Sequence, residues 1–219
     1  SDPKTRAILL YIESIDASRK FMSAARAAAR NKPVVAMRGA HLDSRAGKAG
    51  PLCSDDVYEA ALRRAGWIRI DALDDLFDAA EAMARVRPLR GERLAIVGNG
   101  RGLGRIAAGA LLKFGGSLAR LGPETAQKLA GLMRTGAPPG NPLALPPDLS
   151  PAHWTAALEA LAADEGIDAV LTVYSPSPFA SGTEVAAAIG AAAAQTAKNI
   201  FSCWVGEGDA DAPEHLGGA

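Results

Sequence analysis

The residues in this chain best suited to chemistry are Asn99-Gly100-Arg101-Gly102-Leu103-Gly104, followed by Arg105. They come after the apolar run Leu94-Ala-Ile-Val97 and before the alanine-rich stretch Ile106 to Leu112, which reads as strand, tight turn and helix N-terminus. Glycine leaves backbone N–H groups open to an anion, and the helix dipole adds partial positive charge at the same place. The chemistry to expect is anion or phosphate binding, with Asn99, Gly100, Gly102 and Gly104 as the anion-facing set. Arg101 and Arg105 can pair with a bound anion, pair with Glu13, or be solvated. A dinucleotide fingerprint fits less well. Counting G-x-G-x-x-G from Gly98 puts Leu103 at the third glycine, and no acid closes a strand about twenty positions on. A plainer reading stays open, in which the glycines only let helix and sheet pack closely.

The elements that must hold this turn alternate along the chain. Ala7 to Ile12 is continuously apolar and reads as a buried strand. A helix capped by Asp16 is expected to run to about Asn31, with Phe21, Met22 and Ala25 facing inward. Pro33 to Met37 is a second strand, followed by a loop from Arg38 to Cys53. Ser54 caps a helix through Ala65, Trp67 to Ile70 is a short strand, and Leu73 to Val86 is an amphipathic helix. The breaker-rich Arg87-Pro-Leu-Arg-Gly-Glu92 is the best boundary. Beyond the glycine turn, a strand at Leu118–Leu121 and a helix from Pro123 to about Met133 are expected. Gly136 to Pro147 holds five prolines and two glycines, too many breakers for a regular element. Ser150 caps a helix from Pro151 to Asp164. Strand Ala169–Tyr174, helix Glu184–Ala197 and strand Ile200–Val205 complete the chain. Such alternation predicts parallel sheets with right-handed crossovers.

Composition narrows the function classes. The chain has 219 residues, 48% of them hydrophobic, enough for one large or two small cores. Lysines and arginines number 24 and acids 24, and neither a basic stripe nor an acidic block stands out, so nucleic acid is not an expected partner. Cys53 and Cys203 lack metal or disulfide spacing. Cys203 is expected to be a buried strand residue. No apolar run is long enough for a membrane span and the start lacks a signal peptide, so a cytoplasmic location is expected. Low aromatic content, 5%, argues against a flavin stack.

Three ordered segments carry a resemblance: Asp2-Pro-Lys-Thr-Arg-Ala-Ile-Leu-Leu-Tyr-Ile-Glu-Ser-Ile15, Ser54-Asp-Asp-Val-Tyr-Glu-Ala-Ala-Leu-Arg-Arg-Ala-Gly66 and Asn99-Gly-Arg-Gly-Leu-Gly104. Together they resemble the NDP-forming acyl-CoA synthetases, a family that includes ADP-forming acetyl-CoA synthetase, succinyl-CoA synthetase and the synthetase-like part of protein lysine acetyltransferases. The resemblance implies an α/β fold of two flavodoxin-like, succinyl-CoA-synthetase-like doubly wound parallel-sheet domains, at 1–88 and 89–219. It implies that the first domain is N-terminally truncated, its first strand and helix lying before Ser1. It also implies CoA and ATP or ADP as ligands of a parent protein. The implied partners are a CoA-binding Rossmann domain and an ATP-grasp domain, with a homo-oligomer as a further possibility.

In that family a loop histidine accepts phosphate and passes it to a nucleotide, work that suits imidazole because it is nucleophilic near neutral pH. The family pattern Ser-His-Thr-Gly precedes the Ser-Asp of the next helix. Counting back from Ser54-Asp55 gives Ala46-Gly47-Lys48-Ala49, without a histidine. His41, the one histidine in the loop, stands too early and is a weak candidate. His153 reads as cap or surface structure, and His215 falls in a polar tail. Arg101 stands at a family glycine, Gly109 at a common acid, and Ala144 where Asn-Pro-Val-Asp has its aspartate. Glu13, whose counterpart orients the phosphohistidine, is retained. The expected function is thus an acyl-CoA synthetase-like fragment, degenerate in its phosphohistidine loop and inactive alone, with no metal site. The alternative is a non-catalytic acyl-CoA- or nucleotide-sensing or scaffolding module that regulates an attached acetyltransferase.

Overall fold

Contacts divide the chain into two units, Ser1–Val86 and Arg87–Ala219, in a computed structural model that describes residues 2, 4–13, 15, 17–39, 55–133 and 138–206. The first unit holds β1 (Ile8–Ile12), α1 (Ser18–Ala29), β2 (Val34–Arg38), α2 (Asp55–Ala65), β3 (Ile68–Ile70) and α3 (Leu73–Arg85). Its strands are parallel in the order β1-β2-β3, with Ile8 opposite Val34 and Val35 opposite Ile68. Ala25, Val34, Ala36, Leu62, Ala65 and Trp67 form its core, and Phe21 and Met22 pack on it as the helical spacing predicts. The Trp67 indole donates to the Ala25 carbonyl at 3.0 Å, so this large ring is buried without an orphaned N–H. The expected caps Asp16 and Ser54 lie outside the described residues, as do His41, Cys53 and His215.

The second unit holds β4 (Arg93–Gly98), α4 (Arg101–Lys113), β5 (Ser117–Leu118), α5 (Pro123–Leu132), β6 (Leu143–Ala144), α6 (Pro151–Ala163), β7 (Ala169–Tyr174), α7 (Gly182–Ala194) and β8 (Asn199–Trp204). Every pairing between these strands is parallel, in the order β5-β4-β7-β8, with β6 also on β4. Alternating side chains give the sheet two apolar faces. Ala95, Val97, Val170 and Tyr174 meet Leu129 of α5, Trp154, Leu158 and Leu161 of α6, and Val185 and Ile189 of α7. Ile96 and Val173 meet Leu103 and Ala108 of α4. Helices on both faces of a parallel sheet make this unit doubly wound. The alanine-rich α7 packs Ala186 and Ala192 into the unit and leaves Ala187, Ala191 and Ala194 exposed.

Five local expectations are corrected. β1 is not buried throughout, since Leu9 and Tyr11 on one of its faces are 42% and 58% exposed. The proline-rich loop does contain a regular element, β6. It shares one edge of β4 with β5, each strand only two residues long. Arg93 and Leu94 face Ser117 and Leu118, while Val97 and Gly98 face Leu143 and Ala144. The expected Leu118–Leu121 strand is cut short for the same reason. Ser150 precedes α6, yet its hydroxyl meets His153 Nδ1 at 2.8 Å and caps no backbone N–H. Cys203 is exposed. It sits on the outermost described strand, on the face where α4 is the covering helix among the described residues, and α4 lies over β4. A continuous apolar run does not guarantee burial where the sheet ends.

Candidate functional site

The β4–α4 turn stands at the C-terminal end of the second sheet, where open α/β folds bind ligands. Its backbone needs glycine at two places for different reasons. A Cβ on Gly98 would lie 2.5 Å from the Val173 carbonyl, so close approach of β4 and β7 excludes a side chain. Gly100, the residue before α4, has φ +158° and ψ 153°, a region glycine alone enters readily. Gly104 is buried, and a Cβ there would meet Pro142 at 3.2 Å. Helix packing accounts for that glycine. Gly102 is exposed, and nothing lies within 4 Å of a Cβ placed on it. Of the four residues read as anion-facing, Gly102 is therefore the one whose lack of a side chain neither packing nor conformation requires.

Asn99 is committed to the turn itself. Its Nδ2 donates to the Ser175 carbonyl at 2.6 Å, and its Oδ1 accepts from the Ser175 N–H at 2.9 Å. This reciprocal pair clamps the C-terminal ends of β4 and β7, and leaves the Asn99 side chain engaged with backbone.

Asn141 does the corresponding work on the other edge of β4. Its Oδ1 accepts from Ile96 N–H at 2.9 Å, and its Nδ2 donates to the Leu94 and Ala119 carbonyls at 2.8 and 2.9 Å. A side-chain amide thus fills the gap between β5 and β6 and completes the hydrogen bonding of that edge. Asn199 repeats the device at the start of β8, exchanging both hydrogen bonds with the Arg87 backbone at 2.8 Å. Sequence reasoning missed all three bridges. An asparagine beside a strand or turn is the one local signal, and partners 22 to 112 residues away leave no trace in spacing.

Between the turn and the proline-rich loop lies a cleft of about 320 Å³. Gly100, Arg101 and Arg105 line one side, and Met133, Pro138 to Pro142 and Ala144 the other. Both arginines are exposed, and among the described residues neither has a carboxylate partner. They occupy the first and second turns of α4, where the helix dipole disfavours cations unless an anion joins them. A doubly ionised oxyanion fits such a place. It would be met by two guanidinium forks and by backbone N–H groups that the helix leaves unpaired.

At the opposite end of the sheet Arg93, Asp164, Asp168 and Lys198 are paired. Asp168 accepts from Arg93 N–H at 2.9 Å and from its guanidinium at 2.8 Å through both oxygens. The Arg93 side-chain and backbone hydrogen bonds hold the Asp168 carboxyl down at about 2. Burial works to raise Asp164, but the Gly122 and Gly166 amides, the Thr125 hydroxyl and Lys198 outweigh it and keep that carboxyl below its ordinary value. Burial also lowers Lys198.

Of the remaining sequence candidates, Glu13 follows β1 and is exposed at the C-terminal end of the first sheet. His153 is half-buried on the first turn of α6, bound to Ser150. Among the described residues no group of three or more His, Cys, Asp or Glu could hold a metal ion, and no helix is long and apolar enough to cross a membrane.

Residues 1–83 match the family described as succinyl-CoA ligase like flavodoxin domain. The ADP-forming acetate–CoA ligase I of Archaeoglobus fulgidus is 34% identical over 220 residues, covering 98% of this chain and 31% of that protein. The subunit alpha of the ADP-forming acetate–CoA ligase I of Pyrococcus furiosus is 32% identical over 114 residues, 50% of this chain and 25% of the relative. Among solved structures, a dinucleotide forming acetyl-coenzyme A synthetase 1 of Ca. Korarchaeum cryptofilum, in complex with phosphate and ADP, superposes with a TM-score of 0.84. That match covers 98% of this chain and 48% of the other, and at 22% identity the likeness is one of fold. The chain spans about a third or less of the length of these two curated relatives.

Proposed function

Since this chain is NDP-forming acyl-CoA synthetase-like, with a succinyl-CoA ligase like flavodoxin domain at residues 1–83, we propose that it is the part of such a protein that binds a phosphoryl group at the β4–α4 turn. On this reading residues 89–219 are a second succinyl-CoA-ligase-like domain. Its anion site is Arg101, Arg105 and the backbone of Gly100 and Gly102. The observation that carries the proposal is the pair of arginines, unpaired among the described residues, at the N-terminus of α4 and lining one cleft. The phosphoryl group of an acyl phosphate or of ADP suits this donor set. The CoA-binding and ATP-grasp domains of a parent protein are the proposed partners, and the cytoplasm the proposed location.

Phosphoryl relay needs a nucleophile as well as a cradle. Histidine is missing from the expected position before Ser54, and His41 is displaced from it. The site therefore binds and orients an anion without forming a phosphoimidazole, and the 219-residue chain by itself has no ligase activity.

Titration calorimetry with inorganic phosphate tests the binding step. Saturable binding at low salt is expected, weakened at least about tenfold when Arg101→Ala and Arg105→Ala are combined. Equal binding by the double variant would remove the proposed site. Labelled ATP or acyl phosphate added to a full-length parent tests the relay. Label on His41, with turnover lost in His41→Ala, would establish a working ligase in place of a binding module.

A further inference from the structure

The balanced total charge hides a segregation that the composition did not reveal. From Ser18 to Arg30 the chain carries Arg19, Lys20, Arg26 and Arg30 and no acid. At 100° per residue, Arg19, Arg26 and Arg30 fall in a single file along α1. That file borders an open groove of about 480 Å³ with Met22 and Ser23 on its floor. All three arginines are exposed, and none has a carboxylate partner among the described residues. Arg19 and Lys20 occupy the first turn, where the dipole opposes them, and α1 has no side-chain N-cap. Local rules are broken here without a compensating carboxylate contact among the described residues.

α3 shows the reverse. Asp74, Asp78 and Glu81 also form one file, on the side of the helix away from Leu76, Ala79, Ala80 and Met83. Beside it stand Leu73 and Phe77, 53% and 63% exposed. Asp74 and Asp78 have no cationic partner among the described residues. Glu81 pairs with Arg85 at 3.0 Å, but both side chains are largely exposed and the pair exchanges at little cost.

We infer that the α1 file of one molecule binds the α3 file of a second copy of this chain. The spacings match. Arg19 and Arg26 are seven residues apart, as are Asp74 and Glu81, about 10.5 Å along either helix. Run antiparallel, Arg26 meets Asp74 and Arg19 meets Glu81, with Phe77 brought toward the Met22 groove. Antiparallel packing also opposes the two helix dipoles favourably. α1 and α2 cover the sheet face bearing Val34 and Ala36. Fully buried Val35 points to the other face, and α3 is the remaining described helix that packs on β2. Donor and acceptor files thus lie on opposite sides of one unit, so the contact is head-to-tail and propagates.

Sedimentation equilibrium of the 219-residue chain decides this, with circular dichroism as the check on folding. The wild type is expected to self-associate at low salt and to dissociate as salt rises. Arg19→Glu with Arg26→Glu, and separately Asp74→Lys with Glu81→Lys, each give monomers. Mixing the two variants restores association, because each then offers the file that the other lacks. Monomeric wild type at all concentrations would overturn the inference, as would association indifferent to salt and to both reversals. A wild type that stays monomeric but binds a DNA oligonucleotide through α1 would assign that file to nucleic acid and likewise overturn it.

Discussion

At the N-terminal end of the second sheet, Arg93, Asp164, Asp168 and Lys198 hold one another and the backbone around them. At the C-terminal end, Arg101 and Arg105 face a cleft with no acid among the described residues to meet them. One six-residue strand, β4, separates the two situations. Fold stability accounts for the first arrangement, since Asp168 is 7% exposed and a buried carboxylate must be paired. No contact among the described residues accounts for the second. On the proposed reading, the two arginines at the strand C-termini, without a carboxylate partner among the described residues, stand where a ligand would supply the missing charge.

The largest effect is expected where the two ends are joined. Asn141→Ala removes three hydrogen bonds and strands the Ile96 N–H and the Ala119 carbonyl beside the core, while the Leu94 carbonyl keeps the Ala119 N–H at 2.9 Å. It should destabilise the second unit by about 2 kcal/mol, at roughly 1 kcal/mol for each group stranded. Urea denaturation gives the loss. Hydrogen exchange should show the Ile96 amide freed while amides of β2 keep their protection. Unchanged exchange at Ile96 would mean that the bridge is not what holds this edge.

Acid should separate the two ends next. Asp168 titrates at about 2 in the folded chain and near 3.9 when unfolded. Its folded value is depressed, so its contribution is complete above about pH 4 and is lost as pH falls toward 2. Asp168→Asn should weaken the chain at neutral pH and flatten the decline of stability between pH 4 and 2. Asp164, also held low, should leave a smaller slope behind. Phosphate binding at the far end should be unchanged by Asp168→Asn at pH 7. If binding falls with stability, the two ends are not separable.

How much of this could be read from the chain alone depended on distance along it. Ala169–Tyr174 is a strand with the expected limits because a six-residue apolar run between a turn and a helix admits little else. The turn at Asn99–Gly104 was equally plain, since three glycines between an apolar run and an alanine-rich helix have few other uses. What was hidden depended on remote partners. Leu143–Ala144 became a strand because Asn141 filled the space beside β4, and the surrounding prolines concealed it. Arg93 and Asp168 are 75 residues apart, so neither attracted notice. Cys203 was misplaced because an edge strand and a central one can share the same apolar wording. In the site, the sequence supplied the turn, while only the fold showed which glycines serve packing and that both arginines share one cleft.

The smallest effect bears most directly on the ligand. Gly102 lies in the first turn of α4, exposed, with open space where a Cβ would stand. An alanine there fits, and helix propensity favours it by about 0.5–1 kcal/mol. Gly102→Ala should therefore raise the midpoint of thermal unfolding slightly. If an anion approaches the backbone at this turn, the added methyl meets it, and phosphate affinity should fall about threefold, within the range of one weakened helix-terminus contact. Gly109→Ala, another exposed glycine of α4 with open space around it, supplies the control and should add stability without changing phosphate binding. Stability raised at both positions with affinity lost at Gly102 alone would separate a glycine kept for a ligand from one that is merely tolerated. Unchanged affinity in Gly102→Ala would leave the arginines as the whole of the site.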